Sequence, residues 1–212
     1  MRTQLLYLFL DSSITRVILL VDCERRSRVL DWRRRLLNSA PVVWFTGLSG
    51  AGKSTIARRV ADKLRASGTS LEWLDGDEVR AIVSPDLGFS RADRDIQVTR
   101  LGYIASLLAR NGITAIVSAI SPYEESRSKA LAMCQRSVLV HVDAPLSVLE
   151  ARDTKGLYRR AREGSLRGLT GVDDPYEAPC DPDVSIDTSQ LTIDDAVTKV
   201  CTALARLGAY VD

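Results

Sequence analysis

From Pro41 onward the apolar positions fall into two alternating patterns. Continuous runs at 42–46, 70–74, 114–120, 137–143 and 183–187, rich in β-branched residues, predict five strands. Between them the spacing turns helical. Ile56, Val60 and Leu64 share one face. Leu101, Ile104, Ala105 and Leu108 share another, which stops at Asn111-Gly112, a favoured helix end. Ile193, Ala196, Val197, Val200, Leu204 and Leu207 mark a last helix, with Thr192 as its N-cap and Asp195 three residues on. Strands alternating with helices predict an α/β fold: an open parallel five-stranded sheet with helices on both faces. No internal repeat or low-complexity tract interrupts it.

Two stretches depart from this alternation. Residues 155–179 (KGLYRRAREGSLRGLTGVDDPYEAP) carry charge, glycine and proline but no strand pattern. A stretch of that length inside a compact domain is usually functional or disordered, and it is expected to be a lid segment closing over substrates. Residues 1–40 precede the first strand and form an N-terminal extension of open role: a docking element, a fusion remnant or an upstream start. The domain proper is expected at 41–212. The apolar run 5–10 ends at Asp11, and Arg16 interrupts the next before 17–21, so neither reaches a membrane-spanning length. With no small-residue cleavage site, the chain is expected to be soluble, unexported and cytoplasmic.

Bulk composition narrows the partners. With 212 residues, 45% apolar and 26% charged, the chain suits one globular domain with an appendage. A net charge of +2 argues against nucleic acid as a partner. The Arg33-Arg34-Arg35 cluster reads first as a solvated helix face and second as a contact surface. Cys23, Cys134, Cys180 and Cys201 are scattered without metal-ligand spacing, and read as reduced thiols. His141 lies in an apolar run and is assigned no role.

The chemistry begins at the end of the first strand. Residues 47–55, GLSGAGKST, match G-x-x-x-x-G-K-[ST] between a strand and a helix. Gly47, Leu48, Ser49, Gly50, Ala51 and Gly52 offer a loop of backbone N–H groups to phosphate oxygens. Lys53 reaches the β/γ-phosphates, Ser54 supplies a hydroxyl to Mg²⁺, and Thr55 continues into the helix, whose positive end adds to the site. The chain therefore binds a nucleoside triphosphate. Beyond the second strand stand Asp75, Asp77 and Arg80, where ligands of an open parallel sheet collect. Two carboxylates there orient an acceptor hydroxyl or hold Mg²⁺ through water; the alternative is that Asp75 or Asp77 caps a helix. Phe89, among turn residues, suits base stacking. Arg94 adds a cation, and Arg100 either joins it or makes a surface salt bridge. Two arginines and an aromatic beside a phosphate site point to an anionic nucleotide as acceptor.

These blocks, together with AISPYEESR, RDTKGLY, GLTGVDDPYEAP and 184–188, resemble the adenylylsulfate kinase (APS kinase) family in order and spacing across nearly everything after the extension. The resemblance implies a P-loop kinase that moves the γ-phosphoryl of MgATP to the 3′-hydroxyl of adenosine 5′-phosphosulfate. It implies catalytic roles for Lys53, Asp75, Ser121 and Lys155, with Arg152 against the ATP adenine. It places Asp77, Arg80, Phe89, Arg94, Gln97, Ile120, Gly168 and Leu169 on the acceptor. It also implies a homodimer and a sulfate adenylyltransferase partner. A serine nucleophile needs an activating base, and none is evident near Ser121, so that residue is read as a binding group. The chain departs from the family at Gln97 (commonly Asn), Thr99 (commonly Arg) and Leu169 (commonly Phe). Leu169 lacks an aromatic face, which predicts weaker acceptor binding. Another small hydroxylated acceptor, or a nucleotide-binding module without turnover, are the competing readings.

Overall fold

The computed structural model describes residues 39–208. The extension, Cys23 and the 33–35 arginine cluster therefore lie outside the described residues. In chain order the elements are β1 Val42–Thr46, α1 Lys53–Ala66, β2 Leu71–Asp75, α2 Gly76–Val83, α3 Arg91–Arg110, β3 Thr114–Ser118, α4 Glu124–Ala132, β4 Ser137–Asp143, α5 Leu146–Arg152, α6 Leu157–Arg162, β5 Val184–Asp187 and α7 Ile193–Arg206. The five strands form one sheet in the order β2-β3-β1-β4-β5, parallel throughout.

β1 is central and wholly buried, which is why it reads as an unbroken apolar run. Alternate residues feed opposite layers. Val43 and Phe45 pack with Ile56, Val60 and Leu64 of α1 and Val200 and Leu204 of α7. Val42 and Trp44 pack with Leu101 and Ala105 of α3 and Ala130 of α4. Helices thus cover both faces, as the pattern predicts.

β1 and β4 keep their expected bounds. β2 runs one residue later, through Asp75, and β5 starts at Val184. β3 stops at Ser118 rather than at 120, because the chain turns away there and Ser121 takes a left-handed φ of 41°. α3 begins with a capping box: the Ser90 hydroxyl accepts from the Asp93 N–H (3.2 Å) and Asp93 returns to the Ser90 N–H (3.3 Å). The segment 155–179 contains a short helix, α6, which its composition does not announce. Thr192 caps α7, accepting from the Asp195 N–H at 3.1 Å. No helix among the described residues is long and apolar enough to cross a membrane.

Candidate active site

All five strands point their carboxyl ends to one rim, where Thr46, Asp75, Ser118, Asp143 and Asp187 stand. The phosphate loop leaves β1 at this rim with left-handed φ at Gly47 (146°), Gly50 (76°) and Gly52 (101°), and Gly52 is the N-cap of α1. Lys53 is buried. Its ammonium donates to the carbonyls of Gly47 and Leu48, both at 2.8 Å. Burial, opposed by the Asp77 carboxylate, lowers its pKa from 10.5 to about 8. Nucleotide phosphates favour the charged form, so binding at about pH 9 takes up a proton that binding near neutral pH does not. Calorimetry of ADP binding in two buffers of unlike ionisation heat is expected to show this uptake growing with pH. Buffer-independent heats at the higher pH would contradict it.

Asp75 serves two purposes at once. Its Oδ1 caps α2 by accepting from the Asp77 N–H at 3.0 Å. Its Oδ2 accepts from Ser54 Oγ (2.8 Å) and Ser118 Oγ (3.1 Å), linking the phosphate loop to the β2–β3 side. The Trp73 indole N–H donates to Ser118 Oγ at 3.0 Å and fixes it. Lys155 forms an ion pair with Asp77, so the segment after α5 reaches across to α2.

On the β2–β3 side, the Arg80 guanidinium lies 4.7 Å and that of Arg94 5.8 Å from the centre of the Phe89 ring, which is 66% exposed. Burial, then the neighbouring Arg94, lowers the pKa of Arg80 from its ordinary value. Arg94 is buried and donates to Phe89 O (2.9 Å), Thr170 Oγ1 (2.8 Å) and Gly168 O (2.6 Å). Beside it on α3, Gln97 is buried with neither amide atom hydrogen-bonded. Ile120 and Ser121 sit at the tip of β3. The Ile120 carbonyl accepts from Thr46 Oγ1 (2.7 Å) and the Ser121 hydroxyl from the Trp44 indole N–H (3.0 Å).

Three residues singled out in the sequence take these places. Arg100 does not join Arg80 and Arg94; it forms a two-pronged pair with Asp86 at 2.8 and 2.9 Å, the salt bridge that was its alternative. Thr99 is exposed on the outer face of α3, bonded to Asp95 O at 2.8 Å, away from the buried Gln97. Leu169 is 7% exposed and packs in the principal core. On the β4–β5 side, Arg152 donates to Thr188 Oγ1 and Thr188 O, both at 2.8 Å.

The chain matches the family described as adenylylsulphate kinase over residues 39–187. It belongs to the adenylylsulphate kinase family. An adenylyl-sulfate kinase of Chloroflexus aurantiacus is 49% identical over 173 residues, covering 82% of this chain and 93% of the relative. The solved APS kinase of Mycobacterium tuberculosis, in complex with AMPPNP and APS, superposes with a TM-score of 0.75 at 42% identity, covering 79% of this chain and 98% of that one. A probable bifunctional SAT/APS kinase of Sorangium cellulosum is 48% identical; the match covers 79% of this chain but 29% of that longer protein.

This kinase also uses side chains that sequence reasoning passed over. Tyr158 of α6 donates its hydroxyl to Ser49 O at 2.8 Å, tying the segment after α5 to the phosphate loop. Thr188 donates to Ala51 O at 3.0 Å from beyond β5. Asp173 accepts from the N–H groups of Gly168 and Leu169, both at 2.7 Å, shaping that turn. Tyr176 shares a hydrogen bond with Thr46 Oγ1 (3.1 Å) and stacks on His141 at 6.0 Å between centroids. His141 is thus a packed strand residue, with its pKa lowered by burial. Tyr158, Asp173, Tyr176 and Thr188 all lie within the segments that carry the family resemblance, but nothing local in the sequence marks their roles. Among the described residues no group of three or more His, Cys, Asp or Glu side chains gathers to hold a metal.

Proposed function

We propose that this chain transfers the γ-phosphoryl group of MgATP to the 3′-hydroxyl of adenosine 5′-phosphosulfate, yielding 3′-phosphoadenosine 5′-phosphosulfate and ADP in sulfate activation. The observation that carries the reading is Asp75: one carboxylate bonded to the phosphate-loop serine and to Ser118, at the N-cap of the helix that carries Arg80. The 3′-oxygen attacks the γ-phosphorus, the bond to the β–γ bridging oxygen breaks, and the hydroxyl proton passes to Asp75. Direct transfer of this kind needs positioning and charge stabilisation. Lys53 meets the β/γ-phosphates, and Lys155 bridges the two nucleotides. Ser121 Oγ has the Trp44 indole and, at 3.5 Å, the Ala119 carbonyl for partners, so no base stands ready to make it a nucleophile. It is assigned to acceptor binding with Ile120.

Arg80 and Arg94 hold the phosphosulfate, and Phe89 offers its exposed ring to the acceptor adenine. Arg94 spends three of its five N–H groups on its own protein, so Arg80 carries the larger share. The unpaired Gln97 amide supports an acceptor here, because a buried amide without a partner costs about 1–3 kcal/mol until a ligand satisfies it. Hydroxyl and carboxylate oxygens suit Mg²⁺. Ser54, with Asp75 beside it, would hold the ion, which neutralises charge on the β- and γ-phosphate oxygens. The closing part of the lid narrows to 155–167, since 168–177 is bonded to α3 and α4 through Arg94, Tyr123 and Arg127.

Three further assignments follow the family. Ile96, Tyr103 and Leu107 stand exposed along one face of α3, and a homodimer would cover them there. A sulfate adenylyltransferase partner is supported by the fused Sorangium cellulosum relative. Free Cys134 and Cys180 accord with a reducing cytoplasm.

The test is ADP release from MgATP with adenosine 5′-phosphosulfate, with adenosine 5′-phosphate, and with no acceptor. Turnover confined to the phosphosulfate supports the assignment. Turnover with another acceptor, or nucleotide binding alone, would move the assignment to the competing readings. Leu169→Phe is expected to lower the acceptor KM fivefold or more, since stacking is worth about 1–3 kcal/mol per base. It should also lower the melting temperature, because the position is already packed. An unchanged or higher acceptor KM would contradict the stacking account.

A further inference from the structure

Arg127, on α4, is 0% exposed, a cation taken wholly out of water. Its carboxylate partner, Glu124, accepts at 2.6 Å but keeps 46% of its side chain in solvent. Such a half-compensated charge is a poor device for stability alone. Its other bonds go to two main-chain carbonyls far apart in sequence. One is Ser121 O at 2.6 Å, at the tip of β3; the other is Glu177 O, in the strap leading to β5. The guanidinium also lies 5.8 Å from the ring centre of Tyr176.

Both ends of this clamp are shaped. Ser121 is the one non-glycine residue among those described with a left-handed φ, at 41°. Conformations of that kind persist where surroundings over-determine them. Here Trp44 holds the Ser121 hydroxyl, Thr46 Oγ1 holds Ile120 O, and Arg127 holds Ser121 O. The strap meets the same turn directly. Glu177 N–H donates to Pro122 O and Glu124 N–H to the Glu177 carboxylate, at 2.8 and 2.7 Å. Tyr123 bonds Asp174 at 3.1 Å, and Asp174 stands 3.6 Å from Arg94.

We infer that Arg127 is a positioning residue that fixes the Ser121 turn against the 174–177 strap, and so sets how tightly the acceptor is bound. The inference rests on the reading of Ser121 and Gly168 as acceptor walls. A guanidinium fork holds two carbonyls and a carboxylate at fixed angles, which a lysine ammonium does not reproduce.

The test compares Arg127→Lys, Arg127→Gln and Glu124→Gln with wild type for kcat, both KM values and melting temperature. The Arg127 variants are expected to raise the acceptor KM about tenfold or more, glutamine above lysine, with the ATP KM within about twofold. Glu124→Gln keeps both carbonyl contacts and is expected to leave the acceptor KM within about twofold. An unchanged acceptor KM in Arg127→Gln overturns the inference. So does a parallel rise of both KM values with a collapse in melting temperature, or failure of both Arg127 variants to fold. If wild type itself shows no turnover with the phosphosulfate, the functional reading fails instead. Hydrogen exchange at the Glu124 and Glu177 amides then decides: faster exchange in Arg127→Gln supports the clamp, and unchanged exchange overturns it.

Discussion

Asp75→Asn is expected to lower kcat for acceptor-dependent ADP release roughly a thousandfold, the scale of losing a positioned general base. Nucleotide affinity should change little. The pairing with Asp75→Ala separates the two duties of this side chain. Oδ1 caps α2, while Oδ2 takes the Ser54 and Ser118 hydroxyls. Asparagine caps a helix about as well as aspartate, whereas alanine forfeits the cap at about 0.5–2 kcal/mol. Both variants should therefore be equally inactive, and the alanine variant should melt lower. Acceptor-dependent ADP release and thermal melts read the two effects apart. An Asn variant keeping more than about a tenth of wild-type kcat would remove Asp75 from the proton's path.

Gly47→Ala is expected to abolish measurable nucleotide binding and to cost about 3–5 kcal/mol of stability. The reason is backbone meeting backbone. A Cβ at this position would lie 2.0 Å from the Val142 carbonyl oxygen of β4, and φ is already +146°. A carbonyl inside a sheet has no free rotamer by which to yield, so either β1 parts from β4 or the loop re-forms. Gly50→Ala is the control. There an added Cβ meets only Leu149 O, at 3.7 Å, and the penalty is that of φ alone, about 1–2 kcal/mol. Thermal melts should put the two variants clearly apart, with Gly47→Ala lower by about 10 °C than wild type. Equal melting temperatures would show that the loop shifts at no cost.

These two positions were also the easiest to read from the chain, and for a common reason. A phosphate loop is a local object, so its glycines, Lys53 and Ser54 carry their meaning in nine consecutive residues. Strands buried on both faces are equally local, and β1 and β4 kept their expected bounds. The end of β3 was obscured because Ala119 and Ile120 prolong the apolar run past the point where Ser121 bends it. α2 follows β2 without a loop and starts on a glycine, a residue that ordinarily argues against helix. Arg94 exposed the limit of spacing arguments most clearly. Five residues after Phe89 it looks like a free anion ligand, yet its guanidinium bonds Gly168 and Thr170, more than seventy residues away. Arg100 turned outward for the same kind of reason, meeting Asp86 across the α2–α3 turn. Arg127 closes the AISPYEESR block, but beyond its place one turn after Glu124 nothing local marks its role.

The strand order has an evolutionary corollary. Residues proposed for the acceptor come from β2, β3 and the helices after β2, on one flank of β1. Arg152, proposed for the nucleotide, and Thr188, which bonds the phosphate loop at Ala51 O, come from beyond β4 and β5 on the other. Drift on the first flank can retarget the enzyme to a new hydroxyl without disturbing its fuel, which is how one scaffold comes to host many chemistries. The strap at 168–177 is the exception. It arises between β4 and β5 and crosses to the first flank, where Arg94 and Arg127 seize it. Substitutions there are inherited by both halves at once, so a lineage changing its acceptor should alter this strap together with its two arginine anchors.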